Sequence, residues 1–174
     1  MSSKVGPSTG GGGGTFVAVN KKRDLLVAAG GGGGTRGHDS EDYDGVDANI
    51  RSGDGCDGVG VQWANGGSNG ECGKDAIFTG PCWGYGGAGF QSASQSAKSF
   101  LHGGASTPGE GGGFGGGGAV GHYGGGGGGG YSGGGGGRGG GGGGSYVLEG
   151  GMDVKRWLGN EGHGYVKIVH VDNE

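Results

Sequence analysis

Apolar side chains are concentrated in a few short runs, separated by polar and glycine-rich stretches. The runs are rich in β-branched and aromatic residues, which favour strands. Two of them, 15–19 and 24–29, flank the polar turn Asn20–Arg23, and this spacing predicts a β-hairpin with a four-residue loop. Each arm continues into a glycine run, so the hairpin should place Gly10–Gly14 and Gly30–Gly34 side by side.

Two later runs predict further β elements, at 145–149 and at 164–171. In the second run, apolar residues fall on both faces of the predicted strand. A strand that is apolar on both faces is typical of a buried position in a sheet or sandwich. We therefore expect 164–171 to lie inside the fold.

One stretch predicts a short α-helix, from Ser92 to Leu101. It contains no glycine or proline, begins with a serine suited to cap its amino end, and is followed by Gly103 in the position of a helix-ending glycine. Its apolar residues share one face. We expect that face to dock on the rest of the domain, and binding of a partner is the alternative.

The stretch from Gly111 to Gly144 consists of glycine runs broken by a few other residues. Glycine disfavours an ordinary helix by about 1 kcal/mol per residue relative to alanine, and it gives a strand no side chains to pack. Two interpretations remain: a flexible linker, or extended polyglycine-II helices packed side by side. The seven glycines of Gly124–Gly130 would span about 22 Å at the rise of such a helix.

Composition narrows this choice. The chain has 60 glycines in 174 residues but only three prolines and no strict Gly-X-Y period, which excludes collagen. Hydrophobic residues make up 29%, too few for a conventional core along the whole length. Because they are clustered, disorder throughout is also disfavoured. The net charge is −4, and the chain lacks the basic surface that is typical of a nucleic-acid-binding protein. We therefore expect no nucleic-acid partner.

Sequence motifs of catalysis are missing. No HExxH or GxxxxGK[ST] pattern occurs, and spacings of the GxGxxG type arise by chance in so glycine-rich a chain. The acidic stretch 38–44 lacks the alternation of a calcium-binding loop, which favours a solvated loop. We expect a protein that is not an enzyme and that needs no metal or cofactor.

The three cysteines allow one disulfide bond and leave one thiol. Their spacing contains no CxxC pattern of the kind that binds zinc. Cys72 and Cys82 are the candidate pair, enclosing a short loop, and Cys56 would be the remaining thiol. The chemistry of the residues does not fix the pairing.

Residues that interrupt the glycines have a structural role if the runs pack as a lattice. We interpret the isolated aromatic residues as plugs that cover its ends, with a stacking platform for bases as the alternative. His122, Tyr123, Tyr131 and Arg138 interrupt runs where the chain should turn. The positions that we expect to matter structurally are Gly32, Phe114, Gly127, Tyr131, Gly135 and Gly142.

The order of these patterns resembles that of a known family. GGGGTFVAV is followed by DLLVAAGGGGG, then by GGGFGGGG, GGGGGGGYSGG and GGGGSYV, and finally by EGHGYVKI. This order is similar to the glycine-rich extracellular domain of anaplastic lymphoma kinase and leukocyte tyrosine kinase, and to the wider glycine-rich family that shares it. The resemblance extends from about Gly10 to Val171.

The resemblance implies a small β-sandwich like that of tumour necrosis factor, with an inserted layer of hexagonally packed polyglycine helices over about 30–144. It also implies an extracellular location and a protein ligand, although no ligand-binding residue can be transferred. Residues 1–9 would be a lead-in to a single domain, 10–174. No membrane span is expected, since no run approaches the roughly 18 apolar residues required.

Only nine residues precede the first glycine run, so the implied sandwich would be short of strands and would have open edges. Two hypotheses follow. The first is a non-enzymatic extracellular scaffold or recognition domain that binds a protein ligand. The second is a self-assembling subunit of a filament or surface coat, in which copies add strands to one another. A disordered nucleic-acid binder is a third alternative.

Overall fold

The computed structural model describes residues 8–20, 24–37, 43–77, 82–106, 111–150, 155–156 and 165–169. Within these ranges the fold is β-rich and is built from short strands, together with one 3₁₀ turn over Phe100–His102. The strands are β1 Thr15–Val19, β2 Asp24–Ala29, β3 Val59–Trp63, β4 Ala76–Ile77, β5 Cys82–Gly84, β6 Gly137–Gly139 and β7 Tyr146–Val147.

The predicted hairpin is confirmed. β1 and β2 pair antiparallel with Thr15 opposite Ala29, and an irregularity follows Val17. β7 adds to the other side of β2, with Val27 opposite Val147, so the sheet has the order β1-β2-β7. The β element expected at 145–149 is therefore present as the third strand of this sheet. The other sheets have two strands each, β3 with β6 and β4 with β5.

The apolar core is small and lies against the hairpin. Leu25, Ala28 and Phe90 are buried, and five partly buried side chains pack against them: Phe16, Ala18, Phe100, Tyr131 and Tyr146. Much of the remaining interior is glycine backbone, because every residue of 124–130, 132–137 and 139–145 is buried. The inside of the protein is therefore largely polar main chain, whose N–H and C=O groups must bond to one another.

The α-helix predicted from Ser92 to Leu101 is wrong, since only the 3₁₀ turn at its end is formed. The serines explain the error, because their side chains serve backbone groups elsewhere. The Ser92 hydroxyl accepts the amide of Cys72 at 2.6 Å, and the Ser96 hydroxyl accepts the amide of Ala119 at 2.9 Å. Serine side chains that bond to backbone in this way compete with helix formation.

The strand predicted at 164–171 is not formed over its described part, 165–169. These residues lie in no strand, and Tyr165, Ile168 and Val169 are largely exposed. A β-rich run becomes a strand only when a neighbouring strand offers hydrogen bonds, and none of the described strands pairs with it. In the described part of the chain, no helix is long and apolar enough to cross a membrane.

Candidate functional site

The amides of the longest glycine run, Gly124–Gly130, bond to three different segments of the chain. Gly125 and Gly128 donate to one segment, Gly126 and Gly129 to a second, and Gly127 to a third. The bonds are Gly125 to Arg138 (3.0 Å), Gly128 to Gly141 (2.8 Å), Gly126 to Thr9 (3.2 Å), Gly129 to Gly12 (2.9 Å) and Gly127 to Tyr85 (2.8 Å). Amides three residues apart in the run therefore bond to the same neighbouring segment.

The carbonyl groups of this run bond to three further segments. The acceptor and donor pairs are Gly126 with Gly34, Gly129 with Gly31, Gly125 with Gly137, Gly128 with Gly134, and Gly127 with Gly118. The run thus touches six separate segments through its backbone. A β-strand repeats every two residues and bonds to neighbours on two sides. This period of three with six neighbours is a different arrangement.

A second run, Gly133–Gly137, repeats the pattern. Gly133 and Gly136 donate to Glu71 and Lys74, while Gly134 and Gly137 donate to Gly128 and Gly125. Its other five partners lie in four further segments: Cys56, Gly141, Gly87, and both Ala64 and Gly67 of the segment 64–67. Six backbone neighbours therefore surround this run as well. All five buried amides of this run therefore donate to backbone carbonyl groups, and none of them needs a side chain as acceptor.

Three of the four glycines predicted to be structural have no room for a side chain. A Cβ added to Gly127 would collide with the carbonyl of Gly134, and it would lie 2.9 Å from the amide nitrogen of Gly87. Gly135 and Gly142 face backbone carbonyls in the same way. Gly32 differs, because it is exposed and an added Cβ would meet its nearest atom at 3.9 Å.

One end of the glycine runs carries stacked aromatic rings, and we call it the hairpin end. Phe16 stacks on Phe100 with centroids 4.4 Å apart, and Tyr131 stacks on Tyr146 at 4.6 Å. Phe90 links the two pairs, at 5.7 Å from Phe100 and 6.5 Å from Tyr131. An open groove of about 450 Å³ lies beside this cluster, lined by Asp24, Leu25, Phe90, Gln91, Tyr131, Tyr146 and Leu148.

The other end of the runs carries arginines and aromatic rings, and we call it the arginine end. Arg36 and Arg138 both place their guanidinium groups over the Trp83 ring, at 5.7 and 5.5 Å from its centroid. Arg138 also lies 5.4 Å from the Tyr43 ring centroid. The Tyr123 ring also packs against Trp83, with ring centroids 5.2 Å apart. The result is a cationic and aromatic surface.

The predicted turn residues occupy these two ends. The run 124–130 starts after Tyr123 and is followed by Tyr131. The chain reverses direction at Tyr131 and again at Arg138. These two reversals bring Gly134 and Gly141 to Gly128, which bonds to both. Phe114 is 78% exposed and covers little of the interior. Phe78, another of the isolated aromatic residues interpreted as plugs, lies outside the described residues. Arg36 was not among the residues predicted to turn or cap the runs, although it closely follows a glycine run as Arg138 does.

Two ionisable groups beside the glycine runs have raised pKa values. Burial raises the pKa of the Cys56 thiol above its ordinary 9.0; the bond from Gly142 opposes this, and the charges of Asp57 and Asp47 add to it. Burial also raises the pKa of Asp75 above 3.8, although the bond from Gly86 and the charge of Lys74 act against it. The described residues include no cluster of three or more His, Cys, Asp or Glu side chains suited to a metal ion.

The cysteine pairing stays a prediction. Cys56 and Cys72 are free thiols in this structure, and the side chain of Cys82 lies outside what the structure describes. The Cys82 backbone is placed opposite Ile77 in the sheet of β4 and β5.

Comparison with models of protein families, with curated proteins and with solved structures finds no match to this chain.

Proposed function

We propose that this chain is a non-enzymatic, extracellular scaffold domain whose glycine runs are hexagonally packed polyglycine-II helices, as in the glycine-rich domains of the lymphoma-kinase type. The observation that carries the proposal is the bonding of Gly124–Gly130 to six segments with a period of three. A polyglycine-II helix has three residues per turn and no internal hydrogen bonds, so its groups point outward in three directions. No glycine of 124–130 or 133–144 has a positive φ, which fits that helix.

The scaffold serves recognition of a protein ligand in this proposal. A lattice of backbone bonds is rigid, and it holds the side chains at its ends in fixed positions, as a preorganised binding surface requires. Several of these side chains are apolar and exposed near the arginine end: Val61 is 73%, Trp63 50% and Ile77 66% exposed. Clusters of exposed apolar and aromatic residues are typical of protein-binding surfaces.

A second candidate function is self-assembly into a filament or coat. The specific observation that favours it is the sheet order β1-β2-β7, in which β1 and β7 pair on one side only among the described strands. An open edge offers unpaired N–H and C=O groups to a strand of another molecule. β1 is the longer of the two edges, with five residues against two.

Light scattering and negative-stain electron microscopy at several concentrations distinguish the two functions. A compact monomer at every concentration supports the recognition scaffold. Uniform filaments would overturn it in favour of assembly. In that case Val17→Lys should dissolve the filaments without unfolding the protein, because an edge lysine disfavours strand addition and Val17 is not among the side chains packed against the core.

A further inference from the structure

The Arg36 side chain at the arginine end is unusually placed for a charged group. Arg36 is only 8% exposed, and its Nη1 atom is buried without a hydrogen-bond partner in the part of the chain that the structure describes. Guanidinium groups are rarely buried unless they are paired, because an unmet donor loses its bonds to water. Burial of the Arg36 Nη1 atom without a hydrogen bond costs free energy. An acceptor at this nitrogen would remove that cost, and the described side chains do not supply one.

The neighbours of Arg36 bring a second positive charge to the same place. Arg138 lies over the same Trp83 ring, and its Nη1 donates to the hydroxyl oxygen of Tyr43 at 3.4 Å. Tyr43 is tied to Arg36 through the backbone, by paired N–H to C=O bonds of 2.8 and 3.0 Å. The indole, the phenol and the two guanidinium groups therefore form one cluster.

The cluster is held rigidly by the glycine runs. Arg36 follows the run 30–34, and Arg138 joins the runs 133–137 and 139–144. The Arg138 stem is packed under Gly60, where an added Cβ would lie 2.7 Å from the Arg138 Cβ, and Gly60 has a φ of +104°. Fixed donors bind an anion at a lower entropic cost than mobile ones do.

We propose that the arginine end binds an oxyanion, a carboxylate, sulfate or phosphate group, held by Arg36 with Arg138 and the Tyr43 hydroxyl beside it. The planar fork of a guanidinium matches the oxygen spacing of such groups. Arg36 supplies the unmet donor, while Arg138 supplies a second positive charge.

Titration of the folded protein with inorganic sulfate, inorganic phosphate and acetate tests this site, each against chloride at matched ionic strength. The titration uses a protein with Trp63→Phe and Trp157→Phe, in which Trp83 is the only tryptophan left. Its fluorescence therefore reports binding at this site. We expect a saturable change and a higher melting temperature with at least one of the three anions. A preference for sulfate or phosphate would indicate a sulfated or phosphorylated ligand, and a preference for acetate a carboxylate.

Arg36→Gln should weaken binding at least about tenfold, since it removes a charge-assisted hydrogen bond. Arg51→Gln is the matched control: Arg51 is exposed, belongs to none of the residues of the arginine end, and should leave affinity unchanged. No saturable change with any of the three anions overturns the site. So does an affinity that Arg36→Gln leaves intact.

One further variant identifies a different occupant. The stretch 38–42 carries Asp39, Glu41 and Asp42, which lie outside the described residues. Binding that appears only after all three are changed to their amides would overturn the proposal, because the chain's own carboxylates would then be the ligand of Arg36. The anion site does not depend on the scaffold proposal. A negative titration would therefore not contradict the bonding between the glycine runs.

Discussion

The amide of Gly129 donates a 2.9 Å hydrogen bond to the carbonyl oxygen of Gly12. The two glycines belong to the first run of the chain and to its longest, so distant parts of the sequence are joined through backbone alone. The Gly129 carbonyl accepts the amide of Gly31 at 2.8 Å, which brings in a third run. Neither bond could form at this distance if a side chain stood between the segments.

Gly127→Ala should destabilise the protein strongly. The added Cβ would meet the Gly134 carbonyl, and relief of the clash must move backbone on both sides. We expect a loss of about 3 kcal/mol or more in unfolding free energy, at or above the upper part of the range for overpacking. Gly127→Val, with its branched side chain, should prevent folding. Thermal and denaturant unfolding measure both.

Gly32→Ala is the matched control for that prediction. Gly32 belongs to a glycine run of the same kind but has room for a Cβ and no positive φ. Its unfolding free energy should change by less than about 1 kcal/mol, and a small gain is expected because alanine restricts the unfolded chain. Equal losses at Gly32 and Gly127 would contradict the close packing of the longest run.

Phe90→Ala should cost about 3 to 5 kcal/mol, the range for removal of a buried phenylalanine. Phe90 is buried and links the stacked rings of the hairpin end. Phe114→Ala removes the same group from a side chain that is 78% exposed and should change stability by less than about 0.5 kcal/mol. A larger effect at Phe114 than at Phe90 would show that the aromatic residues cover a different surface.

Ser132→Ala should cost about 1 to 3 kcal/mol, the penalty for leaving a buried donor unmet. The Ser132 hydroxyl is fully buried and accepts the amide of Gly70 at 3.1 Å. Ser68→Ala is the control, because Ser68 is exposed and, among the described residues, only its backbone carbonyl is bonded, to the amide of Glu71. Chemical denaturation of both variants measures the difference, and equal values would show that Gly70 finds another acceptor.

Asp75 should make the protein less stable as pH rises. Burial raises the pKa of Asp75 in the folded state above 3.8, so between the two values the folded state binds more protons than the unfolded one. Stability then falls as pH increases from 3.8 through the raised pKa and stays level above it. Asp75→Asn keeps an oxygen to accept the Gly86 amide and removes this dependence. Melting curves from pH 3.5 to 7 compare the two; a relative gain by the wild type with rising pH would contradict the assignment.

The sequence predicts the hairpin well because its signals are local. β-branched residues on both sides of a polar turn fix β1 and β2, and the glycine runs follow directly from their arms. The turns at Tyr131 and Arg138 were predictable in the same way, as interruptions of runs that are too uniform to turn elsewhere.

Contacts that depend on distant partners were not predictable. Ser92 and Ser96 leave the predicted helix because their hydroxyls bond Cys72 and Ala119, which no local pattern reveals. Gly32 and Gly127 each lie at the centre of a glycine run, yet only the second is enclosed. The meeting of Arg36 with Arg138 on Trp83 likewise arises from the packing of three separate segments.

Amide hydrogen exchange of Gly125–Gly129 tests the central claim most directly, that backbone bonds between glycine runs hold the interior together. Each of these five amides donates to another segment. We expect them to exchange only through global unfolding, with protection that disappears in denaturant together with the folded signal. Exchange at the rate of an unstructured chain, in a protein whose hairpin remains folded, would contradict the account.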